Sequence, residues 1–214
     1  MERWASFDCY GTLIDWDGGV RAELGRLFGD ERAAEEQLAR YHEVEPDLQR
    51  NGSLSYRDVL TESMRRLGAP AGEEHGLAES LPGWGAFPEV NAALTELRRR
   101  GWKLAILSNT DDDFIAASQV QIGVPFDEVV VAQEIGSYKP AHRHWEEFFN
   151  RTRASREGHV HVAASLFHDI APCNELGLRS VWINRLGETP TAEPTAELPD
   201  LRALPETLDE LVPA

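Results

Sequence analysis

Four polar clusters, widely separated in the chain, each stand just beyond a short apolar run. They are Asp8 with Thr12, Ser108 with Asn109, Lys139 in Ser137-Tyr138-Lys139-Pro140, and Asp169 in Phe167-His168-Asp169. Brought to one edge of a sheet, they would surround a pocket with two carboxylates, one ammonium and several hydroxyl and amide groups, the equipment of nucleophilic and acid–base chemistry. Taken singly, each is weak: an Asp before a turn is usually a turn former, and a Lys before Pro is usually a solvated loop residue. Their order, each after a strand, carries the inference. Cys9 lies inside the first cluster, but alternation along a strand turns it away from the Asp8 side and gives it a packing role.

The elements that must position these groups can be read from periodicity. Trp4 to Thr12 reads as a short strand running into a glycine turn, and beginning so near residue one it is expected to be central. From about Val20 to Leu67 the pattern is helical, with Leu24, Leu27, Phe28, Leu38 and Tyr41 at three-to-four spacing and a break at Asn51-Gly52-Ser53. Pro88 to Leu97 has a proline start and one apolar face, predicting a helix. Lys103–Leu107, Val129–Val131, His159–Ala163 and Ser180–Ile183 are further strands, with helical pattern between them. This alternation points to an α/β fold, a Rossmann-like parallel sheet with helices on both faces, whose ligands sit beyond the carboxyl ends of the strands. Gly187 to Leu198, rich in Pro, Thr and Glu, reads as a surface loop leading to a last helix from Leu204 to Leu211.

With 214 residues, the chain has room for one core domain and a smaller insertion. Its 21 basic and 37 acidic side chains give a formal charge of −16, which repels nucleic acid and anionic membranes and leaves a small anionic substrate to find a local positive island. No run of apolar residues reaches membrane-spanning length and no signal-peptide pattern opens the chain, so the expectation is a cytoplasmic protein with two free thiols. The pairs His142/His144 and His159/His161 fall on one strand face or a loop without Cys or acid partners at zinc spacing, and are not read as metal ligands.

Over nearly its whole length the sequence resembles the haloacid dehalogenase superfamily. Phe7-Asp8-Cys9-Tyr10-Gly11-Thr12 looks like its nucleophile motif, Leu107-Ser108-Asn109 its second, Tyr138-Lys139-Pro140 its third, and the region ending in Asp169 its fourth. The resemblance implies a core of residues 1–15 and 86–214 with a helical cap inserted as residues 16–85. Phosphatases of the superfamily carry a second Asp two residues after the nucleophile and hold Mg²⁺ with a fourth-motif carboxylate; here those positions are Tyr10 and Ala164. A phenol with a pKa of about 10 replaces that acid poorly, and alanine offers a hard cation no oxygen. The resemblance therefore narrows to L-2-haloacid dehalogenases, which share the Tyr and need no metal or other cofactor.

On that resemblance Asp8 attacks C2 of a short haloacid and water then cleaves the resulting ester. Lys139 keeps Asp8 ionised, Thr12 and Ser108 orient it, and Asp169, with His168 beside it, activates water. Arg40 and Asn109 take the halide, while Tyr10 and Trp145 line the substrate site, Trp145 standing where the family has a tyrosine. By the same count Ala164 and Leu166 replace a serine and an asparagine around the hydrolytic water. Two other readings stay open: a phosphatase with a remodelled metal site, and a non-catalytic protein that binds small acids. The expected partner is a small anionic haloacid, and a homodimer is left open.

Overall fold

The computed structural model describes residues 2–29, 31–50, 52 and 54–214, so Asn51 and Ser53 of the expected helix break lie outside the described residues. Six parallel strands form one sheet in the order β3-β2-β1-β4-β5-β6: β1 (Arg3–Phe7), β2 (Trp102–Ser108), β3 (Glu128–Val131), β4 (His159–Ala163), β5 (Arg179–Ile183) and β6 (Ala196–Leu198). β1 is buried along its length, as is usual for a parallel strand covered on both faces. Its neighbours are β2 on one side and β4 on the other, so connections leave it in opposite directions. The crevice at that reversal is where parallel sheets bind ligands.

Alternation sorts the strand residues between two apolar layers. Ala5, Phe7, Leu104, Ile106, Val160 and Val162 face one cluster, while Trp4, Ala105 and Leu107 face a smaller one containing Trp145, Phe148 and Cys173. Cys9 is fully buried in the larger cluster, away from the layer that Ser6 shares with Trp4.

Between β1 and β2 the chain forms α1 (Trp16–Phe28), α2 (Glu31–Gln49), α3 (Tyr56–Leu67), the short α4 (Gly76–Ser80), a 3-10 turn (Leu81–Gly83) and α5 (Val90–Arg99). Tyr41, Leu60 and Met64 of this segment join the same cluster as Phe7 and Ile106, so the insertion has no apolar core of its own. The remaining helices are α6 (Asp112–Ile122), α7 (Ala132–Ile135), α8 (Arg143–Thr152), α9 (Ala171–Leu176) and α10 (Leu204–Leu211), with a π-helical turn at Leu166–Ile170. The expected loop over Gly187 to Leu198 is corrected at its end, where Ala196–Leu198 pairs with β5 as an edge strand. Three residues are too few for alternation to register among the prolines and threonines. No described helix is long and apolar enough to cross a membrane.

Candidate active site

Asp8 directly follows β1, its N–H still pairing with the Val162 carbonyl at 3.0 Å. Gly11, at φ 83°, then turns the chain back through a left-handed conformation that a side chain would resist. That reversal brings the Thr12 hydroxyl to 2.8 Å from Asp8 Oδ2, while the Ala164 N–H donates to Thr12 Oγ1 at 2.9 Å and fixes the hydroxyl. Lys139 Nζ donates to Asp8 Oδ1 at 2.9 Å, to Asp169 Oδ1 at 2.7 Å and to the Leu107 carbonyl at 2.9 Å. An ammonium has three protons, so Lys139 is saturated and acts through its charge. The two carboxylates beside it hold its pKa above the ordinary lysine value against the opposing effect of burial.

Asp169 is fully buried, and Lys139 keeps its pKa well below the usual carboxylate range although burial pushes it the other way. Its Oδ1 takes a second hydrogen bond from His161 Nε2 at 2.9 Å, while Oδ2 is buried with no partner. Behind it Ser6 Oγ stands 2.7 Å from both His161 Nδ1 and His159 Nε2. An ionised Asp169 can only accept, so His161 Nε2 donates to it. Strand register puts Ser6 directly opposite His161. Burial drives the His159 pKa well down, which keeps that imidazole neutral.

These groups open into a cavity of ≈ 330 Å³ whose core side includes Asp8, Tyr10, Ser108, Asn109, Lys139, Ser165, His168 and Asp169. The Ser108 hydroxyl is buried there without a partner. Burial lowers the His168 pKa, and its Nδ1 lies 3.1 Å from Ser165 Oγ, so it faces the cavity neutral. The opposite wall comes from the insertion: Trp16, His42, Glu45, Pro46, Gln49 and Tyr56. Asp111, beyond β2, seats that wall by accepting from the Tyr56 and Arg57 N–H groups at 2.8 and 2.9 Å.

Of the residues expected from sequence, Asp8, Thr12, Ser108, Lys139 and Asp169 converge, with Tyr10, Asn109 and His168 on the same cavity. Two do not. Arg40 is exposed on α2, donating to Gln37 Oε1 at 2.9 Å and the Arg66 carbonyl at 3.4 Å, and it does not line the cavity. The cavity side of the same helix is Glu45 and Gln49, a different face of its turn. Trp145 is fully buried on α8 with its ring 5.3 Å from that of His161, behind the site. Asn109 reaches the cavity with its donors engaged, to the Lys139 carbonyl at 3.1 Å and Gln49 Oε1 at 3.3 Å. It braces the lysine loop, so an anion receives little from it. The Tyr10 hydroxyl turns to Ser118 Oγ at 3.0 Å.

Sequence reasoning passed over His161, Ser6, Glu45, Gln49 and Tyr56. The signal for His161 was its alternation with His159 on a strand ending near Asp169. The signal for Glu45 was its four-residue spacing from Tyr41 and Gln49, which puts all three on one helix face.

Residues 3–164 match the model of a hydrolase family described as haloacid dehalogenase-like hydrolase. The chain is 29% identical over 221 residues to the (S)-2-haloacid dehalogenase of Pseudomonas sp. (strain YL), covering 95% of this chain and 93% of that one. It is 32% identical over 204 residues to haloacetate dehalogenase H-2 of Moraxella sp. (strain B), covering 85% of each. A crystal structure of an L-2-haloacid dehalogenase superposes with a TM-score of 0.87 at 25% identity, over 97% of this chain and 99% of that one.

Proposed function

The chain belongs to the haloacid dehalogenase-like hydrolase family, and from that premise we propose that it removes halide from short 2-haloalkanoic acids, giving 2-hydroxy acids through an ester on Asp8 and using no metal. The observation that carries this reading is the saturated ammonium of Lys139 between Asp8 and Asp169. A fixed positive charge occupies the space between the two carboxylates, and two residues beyond Asp8 the Tyr10 hydroxyl is committed to Ser118. A nucleophile so arranged, without an acid beside it, suits a leaving group that departs as a stable anion.

In the first step an Asp8 oxygen attacks C2 in line, the carbon–halogen bond breaks, and halide leaves with the bonding pair. Thr12 and Lys139 hold the carboxylate at a fixed angle, so orientation is set before substrate arrives. In the second, water adds to the ester carbonyl of Asp8 and passes a proton to the free Oδ2 of Asp169. Collapse releases the 2-hydroxy acid, and one proton per turnover reaches solvent. The hydrogen bond from His161 holds the Asp169 carboxylate in place and leaves its Oδ2 without a partner.

Halide release from chloroacetate, bromoacetate, fluoroacetate and 2-chloropropionate in the presence of EDTA tests the proposal, which expects turnover undiminished by the chelator. Mg²⁺-dependent p-nitrophenyl phosphate hydrolysis exceeding any dehalogenation would replace it with the phosphatase reading. An ester on Asp8 that forms and never turns over would replace it with a small-acid trap.

A further inference from the structure

The turn that carries the nucleophile satisfies several of its own backbone groups. The Leu13 and Ile14 N–H groups donate to the Cys9 carbonyl at 2.7 and 3.0 Å, and the Gly11 N–H donates to the Ile14 carbonyl at 2.8 Å. The Thr12 carbonyl is bonded outside the turn. Thr12 is fully buried, so that carbonyl needs a partner from elsewhere in the chain, and it finds the guanidinium of Arg185, whose Nη2 donates to it at 2.8 Å. Arg185 stands two residues beyond β5 and does not line the cavity.

The guanidinium makes three contacts at once. Nη1 pairs with Glu89 Oε1 at 2.7 Å, Nη2 holds the Thr12 carbonyl, and Cζ lies 3.6 Å from the centroid of the Phe87 ring. The Arg185 and Glu89 side chains are only 15% and 8% exposed, so solvent screens the pair little. Phe87 and Glu89 belong to the segment by which the insertion returns to the sheet. Backbone bonds tie that segment to the nucleophile turn as well: the Phe87 N–H donates to the Leu13 carbonyl at 3.0 Å, the Asp15 N–H donates to the Gly85 carbonyl at 3.0 Å, and Ile14 forms an antiparallel bridge with Ala86. The two connections of the insertion are therefore paired with each other, and Arg185 pins that pair to the end of β5.

We propose that Arg185 is a positioning residue for the nucleophile: through the Thr12 carbonyl it sets the Thr12 hydroxyl that holds Asp8 Oδ2, with Glu89 and Phe87 as its anchors on the returning segment. The inference rests on the reading proposed above, in which Asp8 attacks carbon. The lever is short. The carbonyl that Arg185 holds and the hydroxyl that donates to Asp8 at 2.8 Å belong to one residue, so a shift of the Thr12 backbone passes directly to the carboxylate. In-line attack tolerates little such error, since a misplacement of about 1 Å can cost about 10²-fold in rate.

Removing Arg185 alone would leave Glu89 charged and buried, so the variant to use is Arg185→Met with Glu89→Gln, which takes out both charges. The first measurement is reaction with bromoacetate under single-turnover conditions, quenched and read by intact mass. The maximal rate of ester formation on Asp8 should fall by about 10–10²-fold, while the concentration giving half that rate stays within about twofold, because Arg185 touches no substrate. On top of Thr12→Val, which removes the hydroxyl, the same double replacement should slow ester formation by no more than about twofold further. An unchanged rate in the double variant, or the full slowing repeated on top of Thr12→Val, would overturn the inference.

The second measurement uses no turnover. The Ala164 N–H donates to Thr12 Oγ1 at 2.9 Å, so its hydrogen exchange, followed by NMR, reports on that hydroxyl. Exchange at Ala164 should quicken by about tenfold or more in the double variant while the β2 amides exchange as in the wild type. An unchanged Ala164 rate, or the same quickening in β2, would mean that Arg185 serves stability alone. If the wild type forms no ester with bromoacetate, the proposed function fails and exchange at Ala164 decides this inference by itself. Halide release by the wild type, with ester formation unmoved by loss of Arg185, defeats this inference and leaves the proposed function standing.

Discussion

At the scale of single residues, Asp169 differs from Asp8 in having an oxygen to spare. Both oxygens of Asp8 are engaged, by Thr12 and Lys139, whereas Asp169 Oδ2 is buried and unpartnered. Asp169→Asn should therefore leave ester formation within about tenfold of wild type while slowing ester breakdown by roughly 10²–10⁴-fold, the usual range for a lost general base. Intact mass after mixing with bromoacetate checks it: the adduct should accumulate, and equal slowing of both steps would reduce Asp169 to a counterion of Lys139. Arg40 supplies the opposite expectation. Its guanidinium bonds Gln37 and Arg66 on the exposed surface, so Arg40→Ala should hold kcat/KM within about twofold, as surface changes usually do. The residues legible from sequence are those tied to strand ends, where position along the chain fixes position in space. Arg40 was misplaced because a helix turns by 100° per residue, so a register error of one or two residues exchanges cavity for solvent. Trp145 was misplaced because its burial comes from packing on His161, across the chain, which no local pattern reports.

At the scale of elements, five strands and the helical insertion could be read from periodicity, and β6 and α4 could not because they are too short to show a period. The joint between insertion and sheet was invisible for another reason: it is made by one core carboxylate capping a helix distant in sequence. Asp111, 3% exposed, accepts both N–H groups at the start of α3, where Ser55 also caps through the Asp58 N–H. A carboxylate there satisfies orphan donors and meets the positive end of the helix dipole. Asp111→Ala should cost about 1–3 kcal/mol, the range for unsatisfied buried donors. It should also raise KM, because Tyr56 at the head of that helix holds Glu45 in the cavity wall. Urea denaturation and steady-state kinetics on one preparation check both, and an unchanged KM would show that the wall closes without this joint.

At the scale of the whole molecule, the charge of −16 keeps polyanions away and leaves the cavity to attract a small anion by its own arrangement. Buried histidines also set how the fold responds to acid. Burial and the nearby Lys139 push His144 down to about 3, and burial pushes His159 well below its ordinary value. Unfolded imidazoles take up protons below about 6.5 that these folded ones refuse, so stability is full above that pH and falls as pH drops. Glu45 works in the reverse sense, holding a proton in the fold up to about 7. Three lowered histidines, His168 with these two, against the raised Glu45 and His42 predict a lower urea midpoint at pH 5 than at pH 7, and Glu45→Gln should steepen the decline; a midpoint rising on acidification would contradict those neutral histidines. The central claim, that Asp8 forms an ester with substrate, is tested most directly by one turnover with enzyme in excess over bromoacetate in ¹⁸O water. The account predicts ¹⁸O in the Asp8 carboxylate and an unlabelled hydroxyl in the glycolate released, since the first product takes its oxygen from Asp8. Label in the glycolate, with none on the peptide carrying Asp8, would mean that water attacks carbon directly and would contradict the account.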